Sequence, residues 1–216
     1  MDNSAADFQL PPPLIAAEAL CFLRREEPIF GPMSFALNTG EVLMLEGSNG
    51  SGKSTLLRVL AGLLEASFGQ LQREGRAAFE CSAPMAFLGH NGGFKHDLSA
   101  RENLRFCTRI GGLRPGASIA SSLMSVGLDG FEDTPLRFLS AGQRKRATLA
   151  GVLIAPAALW LLDEPYANLD RDGLTLVDRL LETHCARGGA AIITSHGLNH
   201  PALSRLRRMP MECAYA

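Results

Sequence analysis

Short unbroken apolar runs alternate along this chain with longer stripes at helical spacing. Ala17–Leu23 and Met33–Leu37 read as strands, and Glu41–Glu46 as a third that ends directly in a glycine-rich loop. Lys53–Leu64 then carries Leu56, Leu57, Val59, Leu60 and Leu63 on one helical face. Two weaker strands are expected between Gly69 and Cys81, and Met85–Leu88, closed by Gly89 and His90, is another. From Leu98 to Ala155 the pattern turns helical: Arg101–Ile110, Ile119–Val126 and Ser140–Leu153, punctuated by Gly111-Gly112, Pro115-Gly116 and Gly127 to Gly130. Leu159–Leu162 resumes the strand pattern, Asp172–His184 reads as a helix, and Ala190–Thr194 as a last strand. The expected fold is an α/β core interrupted by a helical lobe. Met1 to Gln9 are polar or small and Pro11-Pro12-Pro13 follows, so residues 1–13 are expected to form a tail that does not pack. One domain is expected over 14–216, with a core of 14–90 and 156–216 around a lobe at about 91–155. The stretch after His196 is short, so no regulatory domain is expected there.

Composition narrows the partners. With 46% hydrophobic and 20% charged residues among 216, the chain reads as one ordinary globular domain. A net charge of -1 and the lack of a basic stripe argue against a nucleic-acid partner; Arg205, Arg207 and Arg208 read as a solvated face. The five cysteines are scattered without a C-x-x-C pair, which points to a reducing compartment and to neither a disulfide frame nor a zinc site. No Lys or Arg precedes Arg24, as a secretory leader would require. The longest apolar run, Ala147 to Leu162, is broken by Pro156 and falls short of the roughly 18 to 20 residues of a membrane helix. The chain is therefore expected to be soluble, with no direct membrane insertion, and to reach a membrane only through a partner.

Chemistry concentrates in a few tracts. Gly47-Ser48-Asn49-Gly50-Ser51-Gly52-Lys53-Ser54-Thr55 has the G-x-x-x-x-G-K-[ST] spacing, preceded by a strand and followed by a helix. Its glycines let successive backbone N–H groups converge on one anion, and the helix adds its positive N-terminal end. Lys53 is expected to reach the β- and γ-phosphates, and the Ser54 hydroxyl to bind Mg²⁺. Asp163 and Glu164 end the buried run Leu159-Trp160-Leu161-Leu162; charges beside a dry core are costly without a function. Asp163 suits Mg²⁺ and Glu164 the polarising of an attacking water. His196 follows the last strand at the carboxyl edge of the sheet, where ligands sit in open α/β folds. Alone, a histidine there is more often structural; with the other tracts, a γ-phosphate contact is favoured. Leu139-Ser140-Ala141-Gly142-Gln143 opens a helix. Ordinary capping by Ser140 explains it by itself; the alternative is a second, outward-facing anion site.

Taken together, these tracts resemble the nucleotide-binding subunits of ABC transporters over about Leu14 to Met209. Gly47–Thr55 resembles the Walker A loop and Leu139–Gln143 the signature. Leu159–Asp163 resembles Walker B with Glu164 as catalytic carboxylate, Ala167-Asn168-Leu169-Asp170 the D-loop, and His196 the switch histidine. The resemblance implies a P-loop NTPase cassette, with a mixed sheet core, an inserted helical lobe and an antiparallel β edge. Phe87-Leu88-Gly89-His90, Lys95, Leu98, Ala100, Glu102-Asn103-Leu104, Gly127-Leu128, Gly130-Phe131-Glu132-Asp133 and Pro135 are more narrowly similar to the heme-exporter ATPase subunits of cytochrome c maturation, the CcmA type. That resemblance implies ATP and Mg²⁺ as ligands. It further implies a head-to-tail pair of cassettes, in which Ser140, Gly142, Gln143 and Asp170 of one copy complete the site of the other. Integral-membrane subunits of the maturation system are implied as partners, reached by Asn91 to Asp97 and the lobe Leu98 to Phe138, on the cytoplasmic face of the inner membrane. An ABC transporter for another solute is the alternative. Repair ATPases need a long coiled-coil insertion and translation ATPases a second cassette, and neither is expected to fit in 216 residues. Some positions depart from the pattern. Asn91 replaces a usual glutamine as Mg²⁺ neighbour, Ala141 a usual glycine, and Gly151 stands where Arg is common. Arg24, with Phe22 nearby, takes the place of the aromatic residue that stacks on adenine, a contact a guanidinium plane can make.

Overall fold

A computed structural model describes residues 11–90, 92–195 and 203–212. Nothing is therefore described for residues 1–10 of the tail, or for the site candidates Asn91 and His196. Strands β1 (Ile15–Arg24), β2 (Glu27–Leu37) and β3 (Val42–Glu46) lead into helix α1 (Lys53–Leu60). Strands β4 (Phe68–Arg73), β5 (Arg76–Ala77) and β6 (Met85–Leu88) follow, then helices α2 (Ala100–Gly111), α3 (Ile119–Ser125) and α4 (Ala141–Ile154). The chain closes with β7 (Leu159–Leu162), α5 (Arg171–Ala186), β8 (Ala190–Ser195) and β9 (Leu206–Pro210).

Parallel and antiparallel pairings separate into two sheets. One is antiparallel in the order β2-β1-β4-β5; the other is parallel in the order β6-β7-β8-β3-β9. All of β7 and β8 and four of the five residues of β3 are buried, as expected of parallel strands covered on both faces. Alternate side chains feed two cores. Leu43, Leu45, Leu159, Leu161 and Ile192 pack towards α1 and the antiparallel sheet. Val42, Met44, Trp160, Leu162 and Ile193 pack towards α4, α5 and the helical lobe. This layering brings the carboxyl ends of β3, β7 and β8 together on one edge, the place where open parallel sheets bind ligands.

Three elements differ from the sequence expectation, each for a physical reason. Helix α1 stops four residues early: Gly62 takes φ 71, its N–H reaches Val59 O, and Leu63 N–H reaches Arg58 O. That pair of bonds is a Schellman stop, and it leaves Leu63 exposed despite its place on the helical stripe. Strand β2 begins at Glu27, six residues before Met33, because it lies at a sheet edge, where Pro28 and Pro32 need not donate to a ladder. The arginine-rich end, expected only as a solvated face, forms edge strand β9 beside β3. Its arginines are exposed, but Arg208 pairs with Glu46 at 2.7 Å and Arg207 donates to Ala36 O. Charged side chains on an edge strand discourage further pairing, which is why the segment does not look like a strand.

Candidate functional site

The loop between β3 and α1 wraps a cleft of about 990 Å³. Asn49, Gly50, Gly52, Lys53, Ser54 and Thr55 line it, with Arg24 and Ile29 from the antiparallel sheet and His90 and Glu164 from the ends of β6 and β7. Gly52 caps α1 at φ 88, and a Cβ there would lie 2.8 Å from Ile29 O. Only glycine combines that left-handed backbone with so close a neighbour. Ser51 and Lys53 are buried, and the Lys53 ammonium donates to Gly47 O at 2.7 Å and to Ser48 O at 2.8 Å. Arg24 reaches the cleft from the end of β1, whereas Phe22 stacks on Phe30 with centroids 6.2 Å apart.

Behind the loop, Asp163 is buried and takes the Thr194 hydroxyl at 2.8 Å. The same Thr194 oxygen accepts the Glu164 N–H at 2.8 Å. Thr194 therefore ties both adjacent acids to β8. Glu164 has φ 49, uncommon for a residue with a side chain, and this backbone turns its carboxylate towards the cleft. His90 Nδ1 stands 3.8 Å from Glu164 Oε2. Among the described residues no group of three His, Cys, Asp or Glu side chains converges as a metal site. Among the oxygen donors at or behind the cleft, the Ser54 hydroxyl and the Asp163 carboxylate suit a hard cation sharing its remaining positions with phosphates and water.

Ser140 caps α4: its hydroxyl accepts Gln143 N–H at 3.1 Å, and Gln143 Oε1 accepts Ser140 N–H at 2.9 Å. This reciprocal box fixes an exposed helix tip. Asp170 caps α5 through Gly173 N–H at 2.8 Å and takes Arg146 of α4 at 3.1 Å, linking the two tracts. Its carboxyl is held below the usual range by the Gly173 amide first and by Arg146 after it. None of Ser140, Gly142, Gln143 or Asp170 lines the cleft that holds Lys53. The structure gathers the loop, Arg24 and Glu164 in one place, sets Asp163 just behind, and leaves the α4 tip elsewhere.

Three contributors were not singled out from sequence. Thr194 looks like the end of an apolar strand; its position beside two acids at the carboxyl edge was the available signal. Lys145, on α4, lies in a second cleft shared with His90 and Glu164, and burial lowers its pKa against the opposing pull of Asp163 and Glu164. Phe94 also lines this cleft and covers Gly151, where a Cβ would sit 3.0 Å from the ring. That contact accounts for glycine where Arg is common.

Comparison with known proteins places this geometry. The ABC transporter family profile matches residues 30–167. A cytochrome c biogenesis ATP-binding export protein CcmA of Xanthomonas oryzae pv. oryzae is 52% identical, over 94% of this chain and 96% of its own. Proteins of the same description from Xylella fastidiosa and Methylococcus capsulatus are 46% and 43% identical, over 86% and 84% of this chain. Among solved structures, a putative ABC transporter ATP-binding protein from Pyrococcus furiosus superposes with a TM-score of 0.79 at 22% identity, covering 91% of this chain and 96% of that one. A nucleotide-free ATP-binding cassette gives 0.77 at 20% identity, covering 93% and 89%. At such identities the two structures speak for the fold alone.

Proposed function

This chain belongs to the ABC transporter family of ATP-binding proteins, and we propose on that premise that it is the ATP-hydrolysing subunit of a heme-export machinery serving cytochrome c biogenesis. The relatives described above, similar over nearly the whole chain, support that assignment. ATP is the substrate, and residues 14–216 act as one cassette domain. Backbone N–H groups of Gly50 to Lys53 and the Lys53 ammonium hold the β- and γ-phosphates, and Arg24 stacks on the base. Ser54 and Asp163, with Asn91 from outside the described residues, would hold Mg²⁺, which neutralises phosphate charge when bound. Glu164, held by Thr194, orients the attacking water and accepts its proton. His196, also outside the described residues, is assigned to the γ-phosphate.

A second copy completes the site. The observation that supports this is the separation of the two anion-suited tracts: the Ser140 tip is capped, exposed and absent from the Lys53 cleft. Head-to-tail pairing sets that tip, with Gly142, Gln143 and Asp170, against the nucleotide of the other copy. ATP then binds the closed pair better than separate chains and shifts the equilibrium accordingly.

No helix among the described residues is long and apolar enough to cross a membrane. Force therefore passes to integral-membrane subunits of the maturation system, at the cytoplasmic face of the inner membrane. The contact surface is Gly92 to Asp97 and the helical lobe, where Phe106 and Ile110 lie one turn apart, 59% and 74% exposed. Purification from membranes with a tag on this chain tests the reading. The expected result is Mg²⁺-dependent ATP hydrolysis in a complex with integral-membrane cytochrome c maturation subunits; recovery with a transporter for another solute would redirect it.

A further inference from the structure

A cleft of about 510 Å³ lies between α3 and α5, on the edge of the parallel sheet opposite to the phosphate loop. Leu153, shortly before β7, and Arg187, shortly before β8, mark that edge. Arg114, Arg179 and Arg187 line the cleft with the hydroxyl-bearing Ser121, Ser125 and Thr183, and none of its lining residues is acidic. The carboxylates nearest along α5 are occupied elsewhere: Asp178 takes the Tyr166 hydroxyl at 2.7 Å, and Glu182 lines a separate cleft beside Cys185. Among the described residues none of the three arginines pairs with a carboxylate. Arg179 donates to Ser125 O at 3.3 Å. Arg114 is fixed in the wall: its Nε donates to Ala155 O at 3.2 Å, and its guanidinium carbon stands 5.7 Å from the Trp160 ring centroid. The Nη2 of Arg114 is buried and meets no acceptor among the described residues. A solvated basic face keeps its donors in water, whereas a buried guanidinium donor left unpaired is costly until an acceptor is supplied.

We propose that this cleft binds a diphosphate group, free or carried on a small metabolite, gripped by Arg114, Arg179 and Arg187. The site is separate from the ATP cleft, and the inference goes beyond the ATPase reading. Cations gathered without a carboxylate call for a ligand with several negative charges, and guanidinium forks match phosphate oxygens in pairs. At about 30 Å³ per water molecule, the cleft exceeds the size of one hydrated oxyanion, so two linked phosphates fill it better than one. Its walls belong to both parts of the chain: Arg114 and the serines to the lobe, Arg179, Thr183 and Arg187 to α5 of the core. A bound diphosphate therefore ties lobe to core. Helix α2, which carries the exposed Phe106 and Ile110, lends no residue to the cleft, and α4 runs about 20 Å from the Ser140 tip to Leu153. The Phe106 face and the α4 tip, assigned above to the membrane subunits and the second copy, thus both lie away from it. The arginines converge on a bounded cleft instead of forming a stripe, which favours a small ligand over nucleic acid.

The test is equilibrium dialysis of the full chain against labelled pyrophosphate at low salt. Wild type is expected to bind two ions per chain, one in the phosphate loop and one between α3 and α5. Arg179→Gln/Arg187→Gln, changed only at exposed positions, should keep the first ion and weaken the second about tenfold to a hundredfold. Lys53→Ala should lose the first and keep the second. Arg76→Gln/Arg105→Gln, which removes two exposed charges outside the cleft, should leave both within about twofold. Excess ADP added to the Lys53→Ala chain identifies the source: displacement shows that a nucleotide's diphosphate is accepted, retention that the free ion is preferred, and either upholds the site. Equal binding by wild type and Arg179→Gln/Arg187→Gln overturns the proposal. Equal weakening in the Arg76→Gln/Arg105→Gln control, the mark of diffuse charge, overturns it as well. So does retention of an RNA oligonucleotide by the same arginines without a second pyrophosphate. If Lys53→Ala does not fold, the difference between wild type and Arg179→Gln/Arg187→Gln decides. A wild type lacking only the loop-bound ion would strike the nucleotide reading and leave this site standing.

Discussion

Replacing Thr194 by Val removes one hydroxyl and little volume, and it tests how the acid pair is held. The hydroxyl donates to Asp163 and accepts from the Glu164 N–H, both at 2.8 Å, at a position with no solvent exposure. Losing the bond to a carboxylate costs about 1.5–3 kcal/mol, and stranding the buried amide a further 1–3 kcal/mol or so. A combined loss of about 3 kcal/mol is expected, a large share of a typical domain's stability. With a urea slope of about 1–3 kcal/mol per molar, the midpoint should fall by about 1–3 M. The single tryptophan, Trp160, is buried on the neighbouring strand β7 and reports unfolding by fluorescence. Because Glu164 turns through a left-handed backbone that Thr194 secures, kcat is expected to fall about 100-fold as the water-orienting carboxylate drifts. Thr194→Ser keeps the hydroxyl and should recover most of both losses. A Thr194→Val protein within about 0.5 kcal/mol of wild type, or a Ser variant as impaired as the Val variant, refutes the tether.

Other positions give equally definite outcomes. Gly52→Ala places a Cβ 2.8 Å from Ile29 O on a backbone at φ 88, so it should cost about 1–2 kcal/mol and weaken ATP binding, read by urea melts and nucleotide titration. His184, stacked on Trp160 at 3.8 Å, has its pKa lowered to about 4, chiefly by burial and further by Arg114. The unfolded chain takes this proton near pH 6.5 and the folded chain only near 4, so stability falls as pH drops through that window. The loss reaches about 3 kcal/mol by pH 4, and His184→Gln should flatten the slope between those limits in pH-dependent melts.

The Lys53 loop, the acid pair and the Ser140 cap were legible because their chemistry is local. Glycine spacing, a strand end and a helix start each lie within a few residues. Arg24 is legible only through the family resemblance, and the fold brings it to the cleft from another sheet. What escaped depends on long-range pairing. Thr194 acts across 30 residues on Glu164, and Lys145 enters a cleft only because α4 packs against β6, at the edge of the parallel sheet. β9 was hidden by its own arginines: an edge strand protected by charge lacks the apolar run that marks a strand. Helix α1 was drawn too long because leucine spacing outlasts the helix, and the left-handed turn at Gly62 outweighs it.

Sedimentation velocity of Glu164→Gln protein, with and without Mg²⁺ and ATP, measures the central claim most directly. The variant retains the phosphate loop and the capped α4 tip but lacks the water-orienting carboxylate, so bound ATP persists. A dimer with ATP, a monomer without it, and loss of the dimer on adding Ser140→Arg are the predicted results. The same sedimentation coefficient in both conditions, or a dimer indifferent to Ser140→Arg, would contradict a nucleotide shared between two copies.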